Sequence, residues 1–170
     1  MPEPHTVLNA LDDAAAAAAL TRACGARRWV ERMLARRPFA STPELYARAD
    51  EEWRALDSAD HLEAFGHHPR IGEDLAELRR RFQNTASLSS REQAGVAGAD
   101  EHTLELLRDE NAAYFQRFGF IFIICASGKS AGEMLAALRT CRGNERAAEL
   151  AIAAAEHAKI TRLRLEGLGT

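Results

Sequence analysis

The sequence predicts an all-α protein, a single compact multi-helix domain over residues 1–170 with one extended apolar segment near residues 119–126. Three observations favour this fold class. The hydrophobic content of 46% includes only 6% aromatic residues and relies on alanine and leucine, which are strong helix formers. No proline occurs between residues 70 and 170, so helices there can run without that helix breaker. A chain of 170 residues also has the size of one domain that buries a full core without disulfides.

Helix start and stop signals divide the first half of the chain into five helices. The first helix stops near Gly25, and the stretch "RRPFAS" ends the second. Thr42 offers an N-cap for the third helix, with Pro43 at its first position. In chain order, the predicted helices cover residues 12–23, 27–36, 43–56, 58–65 and 73–82.

The second half is predicted to contain four helices with one interruption. Ser89 and Glu92 have the spacing of a capping box, so a helix should begin there. The interruption is the apolar, strand-like run 120–125. Because the chain offers no second strand to pair with it, we expect an extended segment threaded through a helical core. The other three helices cover residues 100–117, residues 130–141, and a last one from Asn144 as N-cap to about residue 168.

Composition and charge argue against several classes of partner. A net charge of -3 gives no electrostatic reason to expect nucleic acid or an anionic membrane. No apolar run reaches the ~20 residues that span a bilayer, and the N-terminal stretch lacks the features of a signal peptide. The three cysteines, Cys24, Cys125 and Cys141, form no C-x-x-C pair. Their pattern fits a reduced compartment, so we expect a cytoplasmic protein.

The stretch "FGHHPRIGED", residues 65–74, contains the first candidate for chemistry. Proline restricts the residue before it to extended conformations, so His68 should sit at a helix break with a stiff backbone. Imidazole titrates near neutral pH and suits proton transfer, although a surface histidine at a turn would read the same way. A metal site is the other alternative. It is disfavoured because adjacent histidines rarely ligate one ion and the helical zinc spacing of two histidines is absent.

Two further polar groups are ambiguous when taken alone. Glu92 and Gln93 could simply begin a helix, or could place an acid and an amide at a helix end that favours anions. The tail "KITRLRLEGL" carries Arg162 and Arg164 in the final turns of the last helix. There an arginine either complements the helix dipole or, facing inward, forms a fork for a carboxylate.

In combination these motifs resemble a known family. The stretches "HHPRIGE", "SSREQAGV", "NAAYFQRFGFIFIICASGKS" and "ALRTCRGNERAAELAIAAAEHAKITRLRLEGL" occur in order and, with two N-terminal stretches, cover nearly the whole chain. The sequence is similar to the 2-oxo-4-hydroxy-4-carboxy-5-ureidoimidazoline (OHCU) decarboxylases of purine breakdown. One departure is Ile121, which stands where the family commonly has proline in Phe-Gly-Phe-Pro-Phe and which restores a backbone N–H.

The resemblance implies a carboxy-lyase that acts without a cofactor or metal, often as a homodimer, on a small-molecule substrate. The expected reaction is stereoselective decarboxylation of OHCU to S-allantoin in urate catabolism. Two alternatives stay open: a metal-dependent ureide hydrolase using His67 or His68 with Glu73 or Asp74, and a non-catalytic helical binding module. The family's motif maps its catalytic pair onto His68 and Glu92, and its substrate-binding positions onto Pro69, Ser89, Gln93, Arg164 and the backbone near Ile123 or Ile124.

Overall fold

The computed structural model describes the backbone of residues 1–70, 75–83 and 90–169, and the side chains of the same residues except 77 and 81–100. Within these ranges the regular structure is helical, and no strand occurs. The nine α-helices are α1 (Pro4–Ala10), α2 (Asp13–Ala23), α3 (Arg27–Ala35), α4 (Thr42–Arg54), α5 (Ser58–Gly66), α6 (Leu75–Gln83), α7 (Ser90–Phe118), α8 (Ala131–Cys141) and α9 (Arg146–Glu166), and a short 3-10 helix, Gly167–Gly169, follows. The predicted all-α class is therefore confirmed.

Three details of the predicted helices are wrong, each for a local reason. Helix α4 is capped by Ser41, whose hydroxyl accepts from the Glu44 backbone N–H at 3.2 Å, so Thr42 is already its first residue. Helix α7 is one helix of 29 residues, where two were predicted over residues 89–117. Asn144 is not the N-cap of α9, because that helix begins at Arg146.

The predicted extended segment is confirmed. Residues 121–126 lie outside any helix, between α7 and α8. Phe120 and residues 122–125 are buried, whereas Ile121 is half-buried. Ser130 then begins α8 with a reciprocal capping box to Glu133, which satisfies two backbone N–H groups at once.

Packing divides the described chain into two compact units. The first comprises residues 1–68 and 150–170, and the second comprises residues 69–149. The prediction of one domain over residues 1–170 therefore stays a prediction. No described helix has the length and hydropathy needed to cross a bilayer.

The first unit has an apolar core that includes the fully buried side chain of Trp29. The Trp29 indole N–H donates to the Ala49 carbonyl at 3.0 Å, so its polar atom is satisfied inside the core. The other large side chains that are fully buried in this unit are Leu8, Leu20, Met33, Leu45, Phe65 and Leu165. Cys24 is also buried, and burial raises the pKa of its thiol to about 12, so it is an inert apolar group.

The second unit is built around aromatic side chains from α7 and the extended segment. The Tyr114 ring centroid lies 4.6 Å from that of Phe118 and 5.4 Å from that of Phe122. Phe120 completes the group at 5.9 Å from Tyr114. Such tilted and edge-on pairs add to the free energy of burial, so these contacts hold the extended segment against α7.

Candidate active site

His68 lies one residue past the C-cap of α5. His67 caps that helix with helical backbone angles, and the His68 N–H still donates to the Phe65 carbonyl at 3.1 Å. Pro69 follows and prevents continuation of the helix. The imidazole of His68 is therefore held at the end of a rigid element, as the sequence predicted.

Arg164, near the end of α9, lies beside His68. One terminal guanidinium nitrogen, Nη1, donates to the carbonyls of Arg22 and Ala23 at 3.1 and 3.4 Å, at the C-terminal end of α2. The other, Nη2, lies 3.5 Å from His68 Nδ1. A guanidinium can only donate, so this contact makes Nδ1 the acceptor and leaves the proton of the neutral imidazole on Nε2.

The neighbouring Arg162 points to different partners. Its Nη2 lies 3.0 Å from an oxygen of Asp50, and its guanidinium stacks over the Tyr46 ring at 4.1 Å. The choice of Arg164 over Arg162 for a site at His68 thus agrees with the positions of the two side chains.

A third side chain at this site, His157, was missed by the sequence reasoning. His157 is fully buried, and its ring lies 4.9 Å from the His68 ring, centroid to centroid, at an interplanar angle of 87°. It precedes Arg164 by seven residues, about two helical turns, so both lie on one face of α9. That spacing within an otherwise alanine-rich stretch was the signal available in the sequence.

Both imidazoles are neutral at neutral pH. Burial, then the positive charges of Arg164 and His67, lower the pKa of His68 to about 4. Burial, then His68 and Arg164, lower the pKa of His157 to about 3. A carboxylate beside His68 would raise this pKa, and none of the causes of the shift is a carboxylate.

One atom of His68 is left without a protein partner. Its Nε2 is buried and has no hydrogen-bond partner among the described residues. Leaving a buried N–H unpaired costs about 1–3 kcal/mol. Such an atom at the end of a helix, beside a fixed arginine, is suited to bind a polar group of a ligand.

His67 has different surroundings from His68. A Cβ built on Gly25 would lie 2.9 Å from Cγ and 3.0 Å from Cβ of His67, so the side chain packs directly on the turn between α2 and α3. Gly25 also has a φ of +91°, which side chains rarely tolerate. The two adjacent histidines thus face different neighbours.

The other predicted site residues belong to residues 69–149. Pro69 is exposed, and Ile123 and Ile124 are buried in the extended segment. Ser89 lies outside the described residues. Glu92 and Gln93 lie on α7, but their side chains are outside the described part. Their roles stay predictions.

The metal-site alternative concerns residues that are only partly described. Glu73 and Asp74 lie outside the described ranges. Among the side chains that the structure describes, no group of three or more His, Cys, Asp or Glu is arranged to hold a metal ion.

Comparison with known proteins identifies the family. The profile of the OHCU decarboxylase family matches residues 9–166. The chain belongs to the OHCU decarboxylase family. Its structure matches the crystal structure of OHCU decarboxylase in the presence of (S)-allantoin with a TM-score of 0.71, at 33% sequence identity over 93% of this chain and 98% of that one.

Relatives with known names agree with the assignment of this chain to the OHCU decarboxylase family. It is 35% identical to the 2-oxo-4-hydroxy-4-carboxy-5-ureidoimidazoline decarboxylase of Amia calva, over 78% of this chain and 74% of that protein. It is 37% identical to the uric acid degradation bifunctional protein TTL of Arabidopsis thaliana, over 85% of this chain but 44% of that protein. The chain thus spans less than half of the bifunctional relative.

Proposed function

We propose that this chain decarboxylates OHCU to S-allantoin in urate catabolism, without a cofactor or metal. The observation that supports it most is the placement of His68, with a buried and unpartnered Nε2, beside Arg164 in a chain of this family. The residues that the family motif marks at these two positions are close in space within one unit of the structure.

The chemistry of the substrate explains why few protein groups suffice. Its ring carbon carries both a hydroxyl and a carboxylate, and the neighbouring ring carbon is an imine. When the C–C bond to the carboxylate breaks, CO2 leaves, the bonding electron pair forms a C=C bond, and the imine π pair moves to the ring nitrogen, which takes a proton from solvent. The resulting enol then loses its hydroxyl proton and gains a proton on the ureido-bearing carbon.

In this proposal Arg164 and His68 hold the substrate. The N–H groups of Arg164 that remain free of the α2 carbonyls attract the carboxylate, and a guanidinium suits that planar anion. Because Nδ1 of His68 accepts from Arg164, its Nε2–H is the donor and binds a substrate oxygen. Holding the carboxylate out of the ring plane favours its loss.

Glu92 is the proton carrier in this proposal. Its carboxylate takes the enol hydroxyl proton and gives it to the ureido-bearing carbon on one face, which sets the S configuration. Positioned acid–base groups contribute about 10²–10⁴ in rate. Gln93 and Ser89 supply hydrogen bonds to the ureido and ring amide groups, and Pro69 and the backbone near Ile123 or Ile124 line the substrate, as the family motif implies.

The proposed context is a cytoplasmic homodimer, with one domain over residues 1–170. Its support is the family resemblance and the three cysteines, which are all buried and whose spacing forms no C-x-x-C pair. Light scattering of the purified chain at micromolar concentration measures the oligomeric state, and a monomer would refute the homodimer.

Circular dichroism of allantoin tests the reaction. Urate, a urate oxidase and a hydroxyisourate hydrolase generate the substrate, which otherwise decays to racemic allantoin. We expect a lasting S-allantoin signal that requires this chain and survives EDTA. Racemic product with the chain present would refute the decarboxylase, and loss of the signal in EDTA would favour a metal-dependent enzyme.

A further inference from the structure

The proposed reaction does not use His157, although this residue lies at the centre of an aromatic group. The His157 ring stacks on the Trp53 indole at 4.5 Å with an interplanar angle of 16°. The indole is itself fixed, because its N–H donates to the Ala154 carbonyl at 2.9 Å. Thr161, one turn further along α9, has its hydroxyl 3.3 Å from His157 Nδ1. The His157 ring is thus fixed on one face and at one edge.

The remaining side of the His157 ring meets His68. The two rings are nearly perpendicular, and Phe65 adds a tilted contact with His157 at 5.8 Å between centroids. Edge-on packing of flat rings is a favoured arrangement, so a ring that is itself fixed restrains the ring packed against it. Here that ring is His68, whose only described hydrogen bond from a side chain is the 3.5 Å contact with Arg164.

We infer that His157 is a positioning residue for His68. The flat, buried ring of His157 sets the plane of the His68 imidazole for the reaction. The inference rests on the proposed function for its kinetic consequence, but the ring contact itself is independent of any activity. Misplacing a reacting group by about 1 Å can cost about 10²-fold in rate, so a residue that never touches substrate can still control turnover.

Charge on the neighbouring groups does not explain the arrangement. The charged and titratable groups that act on His157 are His68, Arg164 and His61, and the backbone of Cys24 adds a hydrogen bond. Burial and the nearby positive charge keep His157 neutral. Its effect on His68 at neutral pH therefore comes from shape and from the exclusion of water.

Two apolar substitutions distinguish the effect of a flat ring from the effect of filling the same space. His157→Phe keeps a flat ring between Trp53 and His68, whereas His157→Leu fills much of the space without one. Both variants remove His157 Nε2, which is buried without a described partner, and both lose the Nδ1 contact with Thr161, so any cost in stability is shared and the two can be compared directly. We expect kcat to fall about 10- to 100-fold in the leucine variant, with KM within about threefold, and to stay within about threefold of wild type in the phenylalanine variant.

A second readout uses no turnover. In ring-proton NMR titrations, assigned with His68→Ala, we expect a pKa of about 4 for His68 in the wild type and in His157→Phe. In His157→Leu water reaches the ring, and the pKa rises toward about 6.5. The matched control is His61→Leu, because His61 also contacts Trp53, at 4.3 Å, but has no described ring contact with His68. It should change neither readout.

Each result decides the inference. Equal behaviour of the leucine and phenylalanine variants, whether both unchanged or both impaired, would overturn it. If the wild type lacked decarboxylase activity, the proposed function would fail while the titration still tested the contact between the two rings.

Discussion

Two polar clusters, one in each unit, differ in whether their buried polar atoms have hydrogen-bond partners. In residues 69–149, the buried Glu149 accepts from the Tyr114 hydroxyl at 2.6 Å and from the Asn144 amide at 2.9 Å. In the other unit, His68 Nε2 is buried with no described partner. A complete network stabilises a fold, whereas an unpaired buried atom costs free energy.

The difference predicts which cluster stabilises the fold and which binds a ligand. Burial and the Glu149 carboxylate both raise the pKa of Tyr114, so its hydroxyl stays protonated as a donor. His68 is instead contacted at Nδ1 by Arg164 and at its flank by His157, and under the proposed function its unpartnered Nε2 binds the substrate. Substitutions should therefore affect stability at Tyr114 and turnover at His68.

The largest expected effect is on turnover in His68→Ala. The variant loses the donor to substrate, so we expect the rate of S-allantoin formation to fall about 10²- to 10³-fold with an unchanged helical CD spectrum. His67→Ala is the control, since His67 packs on the turn at Gly25, and it should keep its activity. Turnover near the wild-type rate in His68→Ala would refute the role.

Arg164→Lys should lower turnover about 10- to 100-fold. A lysine has one compact ammonium and cannot reach the α2 carbonyls, His68 and a carboxylate together. Arg162→Lys is the matched control, because Arg162 contacts Asp50 instead and its loss should change turnover by less than about threefold. Equal losses in the two steady-state assays would contradict the assignment of Arg164.

Acid should destabilise the protein through His157. The pKa of His157 is about 3 in the folded protein, below its value of about 6.5 in the unfolded chain. As the pH falls, the unfolded chain therefore binds a proton first. The stability that is present above about pH 6.5 is lost as the pH falls toward 3. Between pH 7 and 4.5 this loss amounts to about 2–3 kcal/mol, which His157→Phe should remove. Urea unfolding at the two pH values measures it, and identical losses in both proteins would contradict this origin.

Tyr114→Phe should cost stability and leave turnover intact. Glu149 would keep its burial but lose a donor, which we expect to lower the free energy of unfolding by about 1–3 kcal/mol. The control is Tyr46→Phe, which keeps the ring under Arg162 and should change stability by less than about 0.5 kcal/mol. A drop in kcat of folded Tyr114→Phe would erase the contrast between the two clusters.

The smallest expected effect is the difference in stability between alanine variants at two glycines with positive φ. Gly25→Ala adds a collision with His67 to the backbone strain, whereas Gly128→Ala, with a φ of +73° and no atom within 4 Å of the added Cβ, suffers the strain alone. We expect both to lose about 1–2 kcal/mol from strain, and Gly25→Ala to lose more. Equal midpoints in thermal unfolding would show that His67 moves away freely.

Local sequence signals predicted most of the fold. Alanine-rich periodicity and the lack of proline after residue 69 predicted the helical class, and the strand-like run 120–125 predicted the extended segment. Helix α1 was missed because its seven residues are short for a periodic pattern, although Pro4 at its start is a typical signal. The N-cap at Ser41 was missed because Ser41 and Thr42 are both good caps and only geometry separates them.

Less of the candidate site than of the fold could be predicted from the sequence. The motif at His68 and Arg164 could be mapped because the family resemblance marks both positions. The contact between His68 and His157 could not be predicted from sequence. It depends on the path of α9 past Trp53 and α5, and this path brings together residues about 90–100 positions apart. The lowered pKa of His68 follows from that burial and was likewise outside the reach of spacing arguments.

A structure of this chain with bound (S)-allantoin tests the central claim most directly. The account predicts an oxygen of the ligand within hydrogen-bond distance of His68 Nε2 and a second contact with the Arg164 guanidinium. A ligand bound elsewhere, with His68 Nε2 still unpaired or satisfied by a protein side chain, would contradict the claim that this buried atom is kept for the substrate.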